Sequence, residues 1–246
     1  MPGRYLNLSA YRFVALCELP ALREQVHATA QAFGVKGTVI LAEEGINLFV
    51  AAAADAARAW LARLGELDPR LAGLDAKQSW SDTLPYRRLQ VKIKREIIRM
   101  NQPQVRPAAG RAATVDAATL ARWLDRGSDD QGRELVMLDA RNAFEVDAGA
   151  FQRATDWRLA KFSDFPAAIE RHKDALAGRT VVTYCTGGIR CEKAALALRA
   201  AGVEPVLQLD GGILRYLEQV SGARHWRGRC FVFDERGALD AALRPQ

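Results

Sequence analysis

The chain has no apolar run of the roughly 18 to 20 residues that a membrane span needs. Its start, Met-Pro-Gly-Arg-Tyr, lacks the apolar stretch of a secretory signal. A soluble, cytoplasmic protein is the expectation. Cysteine is scarce: Cys17, Cys185, Cys191 and Cys230 are irregularly spaced and no two form a CxxC pair. That argues against a disulfide framework. Histidine is scarcer still, and His27, His172 and His225 lie too far apart to suggest a metal-ligand pattern. There is no GxGxxG after a strand and no GxxxxGK[ST], so neither dinucleotide nor P-loop nucleotide binding is signalled. Nothing reads as a haem, flavin or iron site, and no cofactor or metal is expected from the residues.

What is present is enough for a packed core. The 246 residues are 49% hydrophobic and 26% charged, which suits one large domain or two ordinary ones. The net charge is +6, but its placement matters more. From Trp80 to Arg106 there are seven basic residues (Arg87, Arg88, Lys92, Lys94, Arg95, Arg99, Arg106) and two acids (Asp82, Glu96). Such a run is either a solvated face or the footprint of a polyanion.

The first half reads as strand Tyr11–Leu16, helix Leu19–Phe33 stopped by Gly34, and strand Gly37–Ala42. A turn at Glu43-Glu44-Gly45-Ile46-Asn47 leads into strand Leu48–Ala51, then helix Ala54–Leu64. Leu89, Val91 and Ile93 alternate with Arg88, Gln90, Lys92 and Lys94. That period of two puts apolar side chains on one strand face and basic ones on the other. Taken as the last strand, it completes a β-α-β-β-α-β order, the split βαβ or ferredoxin-like α+β arrangement. A further extended piece around Lys77–Trp80 is also legible. The expected domains are 1–100, a linker at 101–113 with Pro103, Pro107 and Gly110, a second domain at 114–224, and a C-terminal extension at 225–246.

The second half alternates helix and strand. Helix Asp116–Leu124, with Thr114 offered as N-cap, precedes strand Leu135–Leu138, which ends at Asp139. Helix Phe165–Leu176, strand Thr180–Tyr184, helix Cys191–Ala201, strand Pro205–Leu209 and helix Ile213–Val220 follow. This order implies an α/β domain with a parallel sheet and helices on both faces. Ligands of such sheets sit beyond the carboxyl ends of the strands, where Asp139 and Cys185 fall.

Between Tyr184 and the next helix lies Cys185-Thr186-Gly187-Gly188-Ile189-Arg190. The glycines let the backbone curl, and a helix N-terminus adds unpaired N–H groups that favour an anion. With Arg190 beside it, Cys185 should be held as a thiolate, or as a persulfide anion after sulfur loading. The competing reading, a buried cysteine ending a strand, leaves the glycine pair and the arginine unexplained.

Tyr184 through Ala194 resembles the active loop of rhodaneses. Asp139-Ala140-Arg141-Asn142-Ala143-Phe144-Glu145 resembles the motif after the second rhodanese strand, and Leu209-Asp210-Gly211-Gly212-Ile213 the final strand-to-helix turn. The segments Gly37–Asn47 and Trp226–Asp234 are more specific. With the cysteine loop between them, they are similar to the rhodanese-related tRNA uridine hydroxylases, over about Tyr11 to Asp234. The resemblance implies oxygen-dependent 5-hydroxylation of the wobble uridine in tRNA, with molecular oxygen as co-substrate. It also implies a ferredoxin-like, acylphosphatase-like N-terminal domain and a Cys185 persulfide as the active state. Many members carry a Cys/His-rich tail that this sequence does not show before Gln246, and small residues where it has Leu48-Phe49.

Other residues keep two readings. Cys191 could resolve a persulfide or sulfenate at Cys185, or fill core at a helix start. Arg141 and Glu145 could line the loop's mouth, or pair with each other to fix the turn. Glu43 and Glu44 face opposite ways, which weakens a paired-carboxylate site. Cys17 and Cys230 read as packing. His225-Trp226-Arg227 reads as surface cover rather than a base-stacking site. Arg88, Lys92 and Lys94 are the candidate RNA contacts, and tRNA the expected partner. The alternative function is a sulfurtransferase passing sulfur from thiosulfate or a persulfide to a small thiol or a protein. A binding module with a vestigial fold is disfavoured by the intact Cys185 and Arg190. Related phosphatases have one more residue between cysteine and arginine, so the tighter loop suits sulfur better than phosphate.

Overall fold

The computed structural model describes residues Arg4 to Pro245. They form two units. The first holds residues up to Ile98 together with Phe233–Gly237 and Pro245. The second holds Arg99–Val232 and Ala238–Arg244.

The first unit runs β1 (Tyr5–Phe13), α1 (Leu19–Ala32), β2 (Lys36–Ala42), β3 (Gly45–Ala53), α2 (Ala54–Leu67), β4 (Lys77–Ser81) and β5 (Leu89–Ile93). The sheet order is β4-β1-β3-β2-β5. β1 pairs antiparallel with β3 and β4, and β2 antiparallel with β3. Leu22, Val26 and Ala30 of α1 and Ala57, Trp60 and Leu64 of α2 supply the buried faces. They close one core with Leu6, Leu8, Val39, Ile46 and Leu48.

Two expectations need correcting. β1 begins at Tyr5 rather than Tyr11, because Leu6, Leu8 and Ala10 alternate inward along a segment that also carries polar residues. The fourth strand of the split βαβ is Lys77–Ser81, which crosses to lie beside β1. The basic strand Leu89–Ile93 is a fifth, parallel to β2 at the sheet's outer edge. Its apolar face is only partly covered: Val91 is buried, whereas Ile93, the last residue of the strand, is 40% exposed. Arg88, Lys92 and Lys94 are all exposed.

The Glu-Glu-Gly-Ile-Asn turn is a backbone clamp. Glu43 and Glu44 accept from Leu16 N and Val14 N through their carbonyls. The Glu44 carboxylate accepts from Ile97 N at 2.7 Å, and the Asn47 amide donates to Ile97 O at 3.1 Å. Gly45 has φ +143°, and a Cβ there would lie 2.0 Å from Arg12 O, so only glycine fits. The returning Phe233–Gly237 is held similarly. Asp234 accepts from Tyr86 Oη at 3.2 Å and from Arg236, which also donates to Ser79 Oγ at 2.8 Å.

The second unit runs β6 (Ala113–Val115), α3 (Ala117–Arg126), β7 (Leu135–Asp139), α4 (Ala143–Ala148), β8 (Gly149–Phe151), β9 (Thr155–Asp156) and α5 (Phe165–His172). It continues through β10 (Thr180–Tyr184), α6 (Ile189–Ala200), β11 (Val206–Leu209), α7 (Gly212–Gln219), β12 (Trp226–Gly228), β13 (Cys230–Phe231) and β14 (Ala238–Leu239). The main sheet, β6-β11-β10-β7-β9, is parallel throughout. Val182 and Tyr184 turn toward a core shared with Leu120 of α3 and Ile213 and Tyr216 of α7. Val181 and Thr183, one residue out of phase, are equally buried on the opposite face. The N-cap of α3 is Asp116 rather than Thr114, its carboxylate accepting from Thr119 N at 2.9 Å. Among the described residues, no helix is long and apolar enough to cross a membrane.

Candidate active site

β7 and β10 lie side by side, and their carboxyl ends meet where Tyr184 pairs with Asp139. Three segments converge there: the Cys185 loop after β10, the Ala140–Asn142 turn after β7, and the glycine pair that opens α7.

Cys185 is fully buried. Its Sγ accepts from Gly188 N at 3.2 Å, so the loop curls around the sulfur and aims a backbone donor at it. Gly188 reaches this with φ +98°, a conformation costly to any other residue. The outer side of the loop is pinned by α7, because Ile213 N donates to Cys185 O at 2.9 Å and Leu214 N to Thr186 O at 3.1 Å. A Cβ on Gly212 would stand 2.4 Å from Cys185 O and 2.8 Å from Gly188 N. Gly212 is therefore what lets helix and loop touch. Its role was missed by sequence reasoning, although a glycine pair between a strand and a helix is a readable signal.

Arg190 is not a free cation at a pocket mouth. It is buried, and its two terminal nitrogens meet the Glu145 carboxylate at 2.6 and 2.7 Å. Glu145, fully buried, also accepts from Asn142 N at 3.1 Å and lies 3.5 Å from the Thr186 hydroxyl. One carboxylate thus caps α4 and fixes both ends of the cysteine loop. Arg141 does not pair with Glu145's side chain, which corrects one of the two readings above. It is fully buried and paired with Asp139 at 2.6 Å, and it donates to the carbonyls of Glu145 at 3.2 Å and Gly149 at 2.7 Å. Its guanidinium lies over the Tyr184 and Trp226 rings, 5.6 and 5.5 Å from their centroids. Arg141 therefore braces the floor of the site and does not reach its mouth. Trp226 belongs to this brace through β12, which pairs with β8.

Burial works against ionising Cys185. The thiol of Cys191, the positive charge of Arg190 and the Cys191 and Arg190 backbone N–H groups outweigh it, and the net shift is downward. Cys191 moves the other way, because burial and the neighbouring Cys185 sulfur both resist its ionisation. Of the two buried sulfurs, ionisation is favoured at Cys185 and disfavoured at Cys191. Burial likewise pushes Cys230 up to about 12. Cys17 is exposed and near Arg70, in the first unit. Among the described residues, no group of three or more His, Cys, Asp or Glu side chains could hold a metal ion.

Removing the donor should disfavour the thiolate, so Cys191→Ala is expected to raise the Cys185 pKa, while Cys191→Ser, which keeps an O–H donor, moves it less. Ultraviolet thiolate absorbance against pH, with Cys185→Ala as the blank, measures this. An unchanged midpoint in Cys191→Ala would remove Cys191 from the account.

The arrangement is an anion-favouring loop around an activated sulfur, on a parallel sheet joined in sequence to a split βαβ unit. Residues 5–97 match the family described as UPF0176 acylphosphatase like domain, and residues 117–219 match the rhodanese-like domain. A protein of Bordetella petrii called tRNA uridine(34) hydroxylase is 60% identical over 240 residues, covering 98% of this chain and 94% of that one. A protein of Variovorax paradoxus with the same name is 58% identical, covering 95% and 88%. One of Burkholderia mallei, also so named, is 52% identical, covering 98% and 81%. Likeness at this level through both units, with the cysteine loop in its structural setting, places the chain in the tRNA uridine(34) hydroxylase family.

Proposed function

We propose that the chain hydroxylates the wobble uridine of tRNA at its 5-position, with molecular oxygen as co-substrate and Cys185 as the reacting residue. The observation that carries this reading is the near-full-length likeness to tRNA uridine(34) hydroxylases. The geometry supports Cys185 in particular, as the buried sulfur of an anion-favouring loop. The Cys185 sulfur has no exposure of its own, so a persulfide suits the site. It would carry the reactive atom about 2.05 Å beyond Sγ, one S–S bond length. Gly188 N and the Cys191 thiol steady the inner sulfur, and Glu145 positions Arg190 and Thr186 around it. Because its substrate is tRNA, a cytoplasmic site of action follows.

The test is mass spectrometry of nucleosides from tRNA of a strain lacking the gene. The 5-hydroxyuridine-derived nucleosides should be missing and should return when the gene is restored. Their persistence in the deletion strain, with purified protein inactive on tRNA in air, would sink the reading.

Arg88, Lys92 and Lys94 are proposed to hold phosphates around the anticodon loop. They are exposed, Lys92 on the edge strand β5 and Arg88 and Lys94 immediately before and after it. Phosphate contacts make affinity fall with salt. Lys92→Gln with Lys94→Gln should therefore weaken tRNA binding and flatten its log–log salt dependence by roughly one to two units. Sulfur loading of Cys185 from thiosulfate should hardly change. Unaltered affinity across salt would mean another surface binds the RNA.

A further inference from the structure

Residues 221–232 include no acid, and neither do residues 149–154. The fold lays the two segments together as a ribbon, with Trp226 opposite Phe151, Arg227 opposite Ala150 and Gly228 opposite Gly149. The pairing runs on at both ends, where Gln152 N donates to His225 O at 2.7 Å and Arg229 N to Ala148 O at 2.8 Å. Arg227 and Arg229 are exposed between the buried Trp226 and Cys230, and Arg153 is exposed just past the end of β8. Trp226 is therefore core, and the arginines are what this stretch shows to solvent. Many other arginines of the second unit are paired with carboxylates: Arg122 and Arg126 with Asp130, Arg158 with Asp147, Arg224 with Asp125. The side chains of Arg153, Arg227 and Arg229 have no such partner among the described residues.

The backbone under these arginines is fixed. A Cβ on Gly149 would stand 2.5 Å from Arg229 O and 2.6 Å from Arg227 O. Gly228 has φ +76°, and a Cβ there would stand 2.5 Å from Ala148 O. Arg141 ties the ribbon to the main sheet, because it donates to Gly149 O, lies over the Trp226 ring and pairs with Asp139. Asp139 ends β7 beside Tyr184, the residue before Cys185. Ribbon and cysteine loop thus share one frame. A rigid strip that bears arginines and no acid is complementary to a chain of phosphates, whose oxygens the planar guanidinium fork matches. We propose that Arg227 and Arg229, with Arg153 at the ribbon's end, hold phosphates of the bound tRNA. The rhodanese-like unit then grips the RNA backbone itself and does not leave that task to Arg88, Lys92 and Lys94. This rests on the proposed function, which supplies the polyanion.

The full chain with Arg227→Gln and Arg229→Gln would be titrated, across salt, with an unmodified tRNA that carries uridine 34. Losing two phosphate contacts should flatten the log–log slope by about 1.4 to 1.8 units. Referred to 1 M salt, that is about 25- to 60-fold weaker binding at about 0.1 M. Each single variant should give about half the change in slope. Arg227→Lys with Arg229→Lys, which keeps both charges, should retain most of it. Arg171→Gln with Arg179→Gln makes the same change in charge on other elements of the unit and should bind like the wild type. Melting temperature should stay near wild type in every variant, so that a loss of affinity reads the surface and not the fold. A wild-type slope in the Arg227→Gln, Arg229→Gln protein would overturn the proposal. An equal loss in the Arg171→Gln, Arg179→Gln protein would do the same, leaving net charge as the whole effect. If the ribbon variant loses affinity as expected, yet the wild-type protein forms no 5-hydroxyuridine on the same tRNA, the phosphate contact stands and the hydroxylase reading fails.

Discussion

Cys185→Ala is expected to remove tRNA hydroxylation completely while the protein melts close to its wild-type temperature. The first half of that expectation follows from the electrostatics. Cys185 is shifted toward the thiolate, whereas the buried Cys191 and Cys230 are shifted away from it. Neither can replace it as nucleophile, and both lie in the core. The second half follows from how the loop is held. Its shape depends on donors from Ile213 and Leu214 to backbone carbonyls and on Glu145 beneath Arg190. None of these involves the sulfur, and the one loop bond that does, from Gly188 N, is lost with it. Alanine removes one atom from a closed site, at a cost of about 1 kcal/mol. Restoring the variant to a strain that lacks the gene, then quantifying 5-hydroxyuridine-derived nucleosides, checks the chemistry. Full modification by the variant would end the assignment of Cys185.

Glu145→Ala should do the opposite and unfold the site. It strands a buried guanidinium without the carboxylate that pairs with it, and breaking such a pair costs about 3–5 kcal/mol. It also removes the acceptor for Asn142 N at the start of α4. Replacing both partners, as in Glu145→Leu with Arg190→Met, should recover most of that stability, since two apolar groups of similar size leave no orphaned charge. The double variant should stay inactive, because the charge that favours the Cys185 thiolate is gone. Denaturant unfolding of the two single variants and the double gives the coupling directly. If Glu145→Ala is as stable as the wild type, the ion pair is not what holds the loop.

Much of this arrangement is legible in the chain because it is local. The Cys185 loop, the strand before it and the helix after it are contiguous, so their geometry follows from glycine placement and a β-branched run. What was not legible depends on partners far apart in sequence. Arg141 could have paired with Glu145, four residues on. Asp139, two residues back, takes that place, and only the fold brings the Tyr184 and Trp226 rings around it and leaves Glu145 to Arg190, 45 residues away. The fourth strand was misplaced for a similar reason. Lys77–Ser81 has little apolar periodicity of its own and is a strand because β1 offers it an edge. The clamp between Glu44, Asn47 and Ile97 spans about fifty residues and leaves no periodic trace.

β5 closes the first sheet on one side, and among the described residues no strand lies beyond its outward backbone groups. Such a margin is a template on which another chain can pair and aggregate. The sequence answers this in two ways. Arg23 reaches across to occupy the Val91 carbonyl at 3.1 Å, and the exposed Arg88, Lys92 and Lys94 surround the apolar Ile93 with like charge. Two copies approaching margin to margin would have to bring these cations together. The charges proposed to attract RNA therefore also oppose pairing of two copies through this edge. A substitution that removes charge here would act on both properties at once.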